Sequence, residues 1–337
     1  VNASYWDIQT TGQSSYAGNE FDAEATNDTA GLTSAEMTGS RASTNMGDLD
    51  FAATWQTIPD TSSNGVVVSY PVLTTNTQSP SPRTTLYADG DGTTGNEYEI
   101  ANWYHLDNVR EHLDDEFELT ADLGPNTAGY DAVANGSANG GDGFVPIGGR
   151  SLVGGTPFSG TLNGSGYTVA GLYIDRPNED NVGLFGSAQT QATVKNVGVE
   201  NADVTGDNQV AGLVGYNDDS TVNDSYATGN VSGSGSQHGG LVGQNIGSGT
   251  VTYSYAAVNV SGYSDLGGLV GDNEGTVEES YATGNVAGDA NDAGSIGGLA
   301  GVNGEPGTVK KSYATGDVSS SSDKVGGLVG SNTYATV

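Results

Sequence analysis

The chain has 337 residues, of which 54 are glycine and none is cysteine. Its 41 acidic and nine basic residues give a formal net charge of −32, which excludes unaided binding to nucleic acids or anionic membranes, since both require positive potential. The absence of cysteine excludes disulfides and thiolate metal sites. No stretch approaches the roughly 20 apolar residues of a membrane span, so we expect no membrane insertion.

The scarcity of lysine indicates the environment of the protein. Only four lysines occur, at Lys195, Lys310, Lys311 and Lys324. An acidic surface with so little lysine is typical of proteins in concentrated salt, which screens the repulsion among carboxylates. We therefore predict a halophilic source. The alternative is an acidic, calcium-rich extracellular surface at ordinary salt.

Residues 1–73 begin with the sequence VNASY and contain one predicted helix. The sequence TSAEM follows Leu32 and offers a capping box of Thr33 with Glu36, in which each side chain satisfies a free N–H of the first turn.

A linker over residues 74–95 follows. It contains SPSPR and a DGDG run, and its prolines predict a semi-extended chain. Asp89 and Asp91, with Glu97 as a further ligand, resemble a calcium loop, so Ca²⁺ is the one candidate cofactor. The alternative is a Gly-Asp turn without metal.

Residues 96–130 are predicted to hold an initial strand and a capping helix. The helix is expected over residues 102–117, because apolar residues fall at helical spacing on one face: Trp103, Leu106, Val109, Leu113 and Phe117. We expect this helix to cover the first coil of the domain that follows. His105 and His112 lie seven residues apart without a third ligand, and we interpret them as solvent-facing.

An internal repeat dominates residues 131–337. The motif Gly-Leu-x-Gly recurs at intervals of 28 to 30 residues, beginning at Gly183, Gly212, Gly240, Gly268, Gly298 and Gly327. Each unit contains three short strand-like pieces, VGGLVG, TVxxSYA and xNVSG, separated by Gly, Asn and Asp. Three short strands at a near-constant period are typical of a parallel β-solenoid.

Stacking of such coils about 4.8 Å apart predicts columns of identical side chains. Leucine and valine are expected inside, and two polar columns are expected from the repeat: tyrosines at Tyr226, Tyr255, Tyr281 and Tyr313, and asparagines at Asn217, Asn245, Asn273, Asn303 and Asn332. Asparagine suits the turn because it tolerates left-handed geometry and can bond to its neighbours in adjacent coils.

The consensus GGLVGxN…GTVxxSYATGNV resembles the Gly-Leu-rich repeat known as the GLUG motif, which occurs in large secreted and surface-attached, often adhesin-like, proteins of bacteria and archaea. The stretch from NWYHLDNVREHLDDEF to VGLFG resembles the initial segment of such domains, and SYWDIQTTGQ to YPVL resembles their closing segment. The resemblance covers nearly the whole chain except residues 74–95. It implies an all-β fold, a right-handed parallel β-helix (solenoid) displayed on a surface, but no particular ligand.

The order of these segments is rotated, because the closing segment comes first. The last repeat, from Gly327, lacks its Ser-Tyr strand. If Val1 of a second copy follows Val337, the sequence Val337-Val1-Asn2-Ala3-Ser4-Tyr5 matches TVxxSY with valine in the threonine position. We therefore predict a polymerisation site formed by Val1, Ser4, Tyr5, Trp6, Gly327, Leu328, Val329 and Val337.

Three interpretations of this rotation remain open. Residues 1–73 of one subunit could complete the coil of another, and such head-to-tail pairing propagates into a fibre. The same residues could fold back onto their own solenoid, since the linker is long enough. The chain could also be one period of a longer tandem array.

No arrangement typical of catalysis is present. The carboxylate pairs Asp114–Asp115, Asp218–Asp219 and Glu278–Glu279 fall at variable turn positions, and we interpret them as a solvated acidic face rather than acid–base sites. His238 lies in GSQHGG, which we interpret as an exposed turn. Seven Asn-x-Ser/Thr sequons are candidate glycosylation sites: Asn2, Asn27, Asn135, Asn163, Asn223, Asn230 and Asn259.

The sequence thus predicts a non-enzymatic, glycosylated structural subunit of an extracellular cell-surface filament. Its main partner would be other copies of itself, with cell-surface glycans as further candidates. One alternative is an adhesin domain of a larger tandem-repeat surface protein. The other is a β-helix enzyme that acts on polysaccharides.

Overall fold

The computed structural model describes four short strands within the first 73 residues and then residues 86–149, 155–289 and 294–337. The chain forms two units, Val1–Tyr98 and Glu99–Val337. The first unit contains one parallel and one antiparallel strand pair: Ser4–Asp7 with Thr29–Leu32, and Trp55–Gln56 with Val72–Leu73. The predicted helix at Thr33 and Glu36 lies outside the described residues.

Three parallel sheets build the second unit, and each coil adds to all three. The asparagine sheet has six strands: Phe185–Gln189, Val214–Asp218, Val242–Ile246, Val270–Asn273, Ala300–Gly304 and Val329–Thr333. The threonine sheet has eight: Tyr98–Ile100, Glu116–Leu119, Thr161–Asn163, Thr193–Lys195, Thr221–Asn223, Thr250–Thr252, Thr276–Glu278 and Thr308–Lys310.

The tyrosine sheet has eleven strands: Thr168–Ala170, Tyr173–Asp175, Gly198–Gly206, Tyr226–Gly239, Tyr255–Gly267, Tyr281–Ala282, Val286–Gly288, Ser295–Gly297, Tyr313–Ala314, Val318–Ser319 and Lys324–Gly326. The predicted all-β parallel solenoid is confirmed, with about six turns. Its period follows from the sequence, because each repeat returns the chain to the same face after three strands.

Apolar columns fill the interior of the solenoid. The leucine of each Gly-Leu-x-Gly motif is fully buried in five successive coils, at Leu184, Leu213, Leu241, Leu269 and Leu299. The valine of each Thr-Val pair is buried beside it in the threonine sheet, as at Val222 and Val251. Since the side chains alternate along a strand, the threonines that flank these valines remain half-exposed.

The asparagine column is a continuous chain of amide hydrogen bonds. Asn217 Nδ2 donates to Asn245 Oδ1 at 2.7 Å, and Asn245 Nδ2 donates to Asn273 Oδ1 at 2.8 Å. The same bond joins Asn273 to Asn303 at 2.7 Å and Asn303 to Asn332 at 2.8 Å. Each Nδ2 also donates to a main-chain carbonyl, as Asn245 does to Gly249 at 3.2 Å, which fixes the direction of every amide.

The Ser-Tyr pairs form two further columns. Each serine hydroxyl accepts a hydrogen bond from the N–H of the preceding coil, as Ser254 Oγ does from Ser225 N at 3.1 Å, and donates to its own turn, as to Thr252 O at 2.7 Å. The four tyrosine rings stack with centroids 4.8, 4.9 and 5.0 Å apart and planes within 3° of parallel. The strand spacing imposes this ring spacing, because the residues pair in register.

The left-handed backbone positions differ from those predicted. The residue before each Ser-Tyr serine has a positive φ, and these residues are Asp224, Tyr253, Glu279 and Lys311. The column asparagines are not among the positive-φ residues, so their role is hydrogen bonding alone. The corner between the threonine and tyrosine sheets therefore holds non-glycine residues in a conformation that costs about 1 kcal/mol each.

The helix predicted over residues 102–117 is shorter than expected. The structure has an α-helix at Trp103–Asn108 and a 3₁₀ turn at Val109–Glu111, while Phe117 lies in the strand Glu116–Leu119. This strand pairs with Thr161–Asn163, and the buried pairing of Phe117 with Leu162 overrides the helical spacing. Two further short helical segments occur at Tyr130–Val133 and Ala138–Gly141.

Aromatic side chains close the first coils. Phe158 packs on Phe185 with ring centroids 4.7 Å apart and on Phe117 at 6.3 Å, while Trp103 packs on Phe144 at 6.2 Å. All five rings are fully buried. The short helix thus contributes the buried Trp103 to this aromatic cluster.

Loss of one internal amide tests the asparagine column. Asn273→Ala removes the acceptor of Asn245 and the donor of Asn303, so we expect the free energy of unfolding to fall by about 2–4 kcal/mol. The matched control is Asn332→Ala, at the exposed end of the same column, which leaves only the Asn303 amide without its partner. We expect this variant to lower the free energy of unfolding by less than about 1 kcal/mol. Denaturant unfolding measures both, and equal losses would contradict a cooperative internal column.

Candidate functional site: the open final coil

The final coil exposes side chains whose counterparts are buried in every preceding coil. Val325 is 44% exposed, although the residues before it in the column, Leu266 and Ile296, are 0% exposed. Val337 is 59% exposed, against 2% for Val309. The outer edge of this coil is therefore partly apolar, and no strand among the described residues pairs with it.

The predicted polymerisation residues of the final repeat line this edge. A Cβ at Gly298 would lie 2.2 Å from the Gly327 carbonyl oxygen, whereas one at Gly327 would meet nothing within 4 Å. Leu328 and Val329 are half-buried, while the five preceding leucines of the column are fully buried. The edge thus has room for another coil directly against Gly327.

The serine, tyrosine and asparagine columns also reach this edge. The Ser312 hydroxyl accepts from Ser280 N at 3.2 Å, but no described residue accepts from Ser312 N. Tyr313 completes the ring stack and is 53% exposed. Asn332 Nδ2 donates to Ala335 O at 3.1 Å and to no further asparagine among the described residues. A further coil that fits here would supply a serine hydroxyl and a tyrosine ring.

The register predicted for the join is wrong by one residue. Thr336 pairs with Thr308, and Val309 N donates to Thr336 O at 2.8 Å, so Thr336 occupies the threonine position and Val337 the valine position. Sequence spacing had assigned Val337 to the threonine position. The assignment was wrong because the turn between the Gly-Leu-x-Gly motif and the Thr-Val pair differs in length from repeat to repeat. A segment that places Ser4 beside Ser312 therefore brings Val1 and Val337 to the same position.

The N-terminal part of the predicted site is described only as a backbone strand. Ser4–Asp7 pairs in register with Thr29–Leu32, with Ser4 opposite Thr29 and Tyr5 opposite Ala30. Parallel pairing at an offset of 25 residues is close to the repeat period of the solenoid. Val1 lies outside the described residues.

His238 is not in an exposed turn, as the sequence had predicted. It is 0% exposed and pairs with Leu266 in the interior column, and neither ring nitrogen has a hydrogen-bond partner among the described residues. The glycine-rich sequence suggested a turn, but Gly233 and Gly262 lie in strands, and a Cβ at either would lie 2.5–2.6 Å from the ring, so the glycines leave space for it. Burial lowers the pKa of His238 to about 4, although the negative charges of Asp207 and Asp265 raise it in part.

The other two histidines also differ from the prediction of solvent-facing residues. His105 is 4% exposed, and its main-chain N–H donates to Asn102 Oδ1 at 3.0 Å at the start of the helix. His112 is partly buried and lies 3.0 Å from Asp115 Oδ2. Both histidines belong to the covered side of the first coils, where the helix packs on the solenoid.

The carboxylate pairs form links between coils. Asp219 Oδ1 accepts from Ser248 N at 2.7 Å, and these hydrogen bonds lower the pKa of Asp219. Glu278 lies 2.8 Å from Lys310 Nζ and 3.2 Å from Lys311 Nζ. These two pairs thus connect neighbouring coils along the surface, whereas Asp115 contacts His112 of its own segment.

The candidate calcium residues accept hydrogen bonds from their own turn. Asp91 Oδ1 accepts from Thr93 N at 3.1 Å, Asp89 Oδ1 from Gly90 N at 2.9 Å, and Glu97 Oε1 from Gly95 N at 2.9 Å. Within residues 86–149, 155–289 and 294–337 no group of three or more His, Asp or Glu side chains that could hold a metal ion is found. A calcium ion at this turn stays a prediction.

The sequons fall into two structural groups. Asn230 and Asn259 are exposed and adjacent in the tyrosine sheet, with Asn259 Nδ2 3.3 Å from Asn230 Oδ1. The half-buried sequons are Asn135, Asn163 and Asn223. Asn2 and Asn27 lie outside the described residues, and glycosylation stays a prediction.

Comparison with known proteins supports the repeat assignment. The GLUG motif matches residues 206–232 and 292–319. Halomucin from Haloquadratum walsbyi is 38% identical over 175 residues, which cover 51% of this chain and 2% of halomucin. A "Putative Gly-rich membrane protein" from Evansella cellulosilytica is 36% identical over 114 residues, which cover 33% of this chain and 12% of that protein. The chain thus spans a small part of each curated relative.

A solved structure supports the fold alone. The crystal structure of a "putative immunoglobulin A1 protease" from Bacteroides ovatus aligns with a TM-score of 0.54 and 20% identity, over 74% of this chain and 77% of that chain. None of the helices described is long and apolar enough to span a membrane. The predicted resemblance to the GLUG motif is confirmed at residues 206–232 and 292–319.

The buried His238 predicts acid sensitivity of the middle coils. Its pKa is about 6.5 in an unfolded chain and about 4 here, so between these values the unfolded state binds more protons and the free energy of unfolding falls as pH falls. At pH ~4.5 the loss attributable to His238 is about 2–3 kcal/mol.

His238→Leu, which continues the aliphatic column, should remove this loss and raise stability at low pH. Asp272, whose pKa burial raises to about 6, is present in both proteins, so the difference between them isolates His238. Denaturant unfolding of both proteins at pH ~7.5 and ~4.5 measures the effect. An identical pH dependence in the two proteins would contradict this account.

Proposed function

We propose that this GLUG-repeat β-helix is a structural unit of an extracellular surface filament, in which residues 1–73 of one copy complete the final coil of the next. The observation that carries the proposal is the open edge at Ser312 and Tyr313. A further coil in the same register would place a serine hydroxyl beside Ser312 and a tyrosine ring beside Tyr313. The Ser4-Tyr5 pair has both groups in this order.

The order of serine and tyrosine in the internal coils supports a donated strand, in which Val1 must lie outside the valine position that Val337 already holds. In each internal coil, the serine accepts from the N–H of the preceding coil while the tyrosine stacks on the preceding ring. Ser4 Oγ would accept from Ser312 N, and the Tyr5 ring would cover the exposed face of Tyr313. Ser4–Asp7 already pairs in parallel with Thr29–Leu32, so the donor brings the start of a second coil with it.

Such a contact is head-to-tail and does not close on itself. The donor and acceptor surfaces are different, so each added copy presents a new open edge and the assembly grows into a filament. Pairing of an exposed strand edge gives affinity through main-chain hydrogen bonds, and the columns of serine and tyrosine give register.

The proposal includes surface display and no catalytic activity. The relatives named above support the location, since one is called a mucin and the other a membrane protein. Two of the three carboxylate pairs considered for acid–base chemistry contain a group engaged in a cross-coil contact, as with Asp219 and Ser248, and Glu278 and Lys310.

A second candidate is a domain within a longer tandem-repeat surface protein. The small share of halomucin that this chain matches favours it, because a long relative has room for many such domains. In that arrangement the open edge is covered by further coils of the same chain. The isolated protein would then stay monomeric, which separates the two candidates.

A charge at the open edge tests the filament. Tyr313→Asp should abolish filaments, because a carboxylate would be buried against the incoming ring. Ala257→Asp adds the same charge at an exposed position of the same sheet, away from the edge, and should leave assembly unchanged. Light scattering and negative-stain electron microscopy measure assembly, and circular dichroism checks the fold. Filaments of Tyr313→Asp, or of a chain that lacks residues 1–73, would contradict the proposal.

Salt dependence gives a second test. Each copy carries a formal charge of −32, and the screening length grows from about 3 Å at 1 M salt to about 30 Å at 0.01 M. Dialysis from high to low salt should therefore shorten or dissolve the filaments, as sedimentation measures. Potassium chloride and sodium chloride of equal concentration should act alike, and filaments insensitive to desalting would contradict this part of the proposal.

A further inference from the structure

The outward side of the threonine sheet carries almost none of the charge of the chain. In each of its seven strands from Glu116–Leu119 to Thr308–Lys310, the first and third residues point outward and the second is buried. These outward residues, two from each strand, are called the threonine strip. They include three glutamates and two lysines, a formal charge of −1, whereas the whole chain carries −32. A second acidic copy can therefore approach this strip with little repulsion.

Uncharged threonines form one column of the strip through six successive coils. They pair in register and are half-exposed, and they are Thr161, Thr193, Thr221, Thr250, Thr276 and Thr308. Thr250 Oγ1 donates to Thr221 Oγ1 at 3.3 Å, and Thr252 Oγ1 donates to Asn223 Oδ1 at 2.7 Å. Because these groups already bond to one another, covering them costs less than covering hydroxyls whose only partner is water.

The period of the strip favours a partner with the same repeat. Its strands recur at about 4.8 Å along the solenoid, so a matching surface must present groups at that spacing. A second copy of the strip has this period by construction. Sheet faces with equal periods pack about 10 Å apart with their side chains interdigitated. Another copy of this chain therefore fits the strip better than a partner without the repeat.

The charges of the strip distinguish two symmetric arrangements. A two-fold axis along the solenoid would set each coil against the same coil of the second copy with first and third positions exchanged, so Glu116 would face Glu118. A two-fold axis along the strands would reverse the order of the coils, so Glu118 would face Lys310, and Thr221 of the middle strand would face Thr221 of the second copy. Like charges meet in the first arrangement and opposite charges in the second, which favours the second.

We infer that the threonine strip pairs with the same strip of a second copy, with the coils in opposite order about Thr221. This pairing rests on the proposed filament. Seven coils of about 4.8 Å and three residues of about 3.3 Å give only about 330 Å² per copy, whereas a stable interface buries about 800 Å² per partner. Single copies therefore stay apart, and many strips along two antiparallel filaments act together.

Acidic side chains border the strip and make its pairing depend on salt. Asp219 lies just before the strand Thr221–Asn223, and Asp224 and Glu279 follow strands of the sheet on the other side. These carboxylates repel their counterparts at the edges of the interface. Since 1 M salt shortens the screening length to about 3 Å, we expect paired filaments at high salt.

Cross-linking of single-cysteine variants tests the pairing, because the chain has no cysteine of its own. Thr221→Cys filaments at high salt are treated with a short bis-maleimide that can span two facing sheets, and we expect a covalent dimer. Thr308→Cys, in the same column but away from the axis, is the matched control. Two copies of this residue would lie about six strand spacings, or about 29 Å, apart, so we expect no dimer. Equal cross-linking of the two variants would overturn the antiparallel arrangement.

A charge on the axis gives a second readout. Thr221→Asp sets two carboxylates against each other and should give single filaments where the unmodified chain gives pairs, as filament widths in negative-stain electron microscopy measure. Ala257→Asp carries the same charge on the tyrosine sheet and should leave the pairs intact. Single filaments of the unmodified chain without a Thr221→Cys dimer would overturn the pairing and leave the filament standing. Absence of any filament would overturn both.

Discussion

The hydrogen-bonded columns between coils are the constraint on which the rest of the structure depends. Parallel strands in register place equivalent residues about one strand spacing apart, so a side chain that both donates and accepts can link every coil to the next. The asparagine amides do this with nearly constant distances of 2.7 to 2.8 Å from Asn217 to Asn332. Because an amide has a direction, the column has two different ends.

The two ends of the asparagine column have different surroundings. At the first end, Ala188 stands opposite Asn217, whose Oδ1 has no partner in the structure, and aromatic rings close the coils beyond it. At the other end, the columns stop at Ser312, Tyr313 and Asn332, which face outward. Within the described residues the first end is covered and the other is exposed, and the proposed filament would grow from the exposed end.

Periodicity made the solenoid predictable from the sequence. The recurrence of Gly-Leu-x-Gly and Ser-Tyr fixes which residues stack, and the columns of leucine, asparagine and tyrosine lie where the spacing places them. The positions of Gly327 and Leu328 in the last described coil were predictable for the same reason, since they fall at the period of the Gly-Leu-x-Gly motif.

Features that depend on a single coil were not predictable in this way. His238 replaces an aliphatic residue in one coil, and its glycine neighbours suggested a turn, although they only make space for the ring. Phe117 fits helical spacing, yet its pairing with Leu162 places it in a strand. The hydrogen-bonding role of the serine in Ser-Tyr was not predicted. A serine hydroxyl accepts from a main-chain N–H of the adjacent coil, and the sequence does not show which N–H lies beside it. The join was misplaced by one residue because turn lengths vary between repeats.

Disulfide trapping tests the central claim most directly, since the chain has no cysteine of its own. Two single variants, Tyr5→Cys and Tyr313→Cys, are mixed at high salt and oxidised. Neighbouring strand positions about 4.8 Å apart suit a disulfide. The account predicts a covalent dimer of one copy of each variant, absent from either variant alone. A mixture that stays monomeric, while the double variant forms its bond within one molecule, would contradict it.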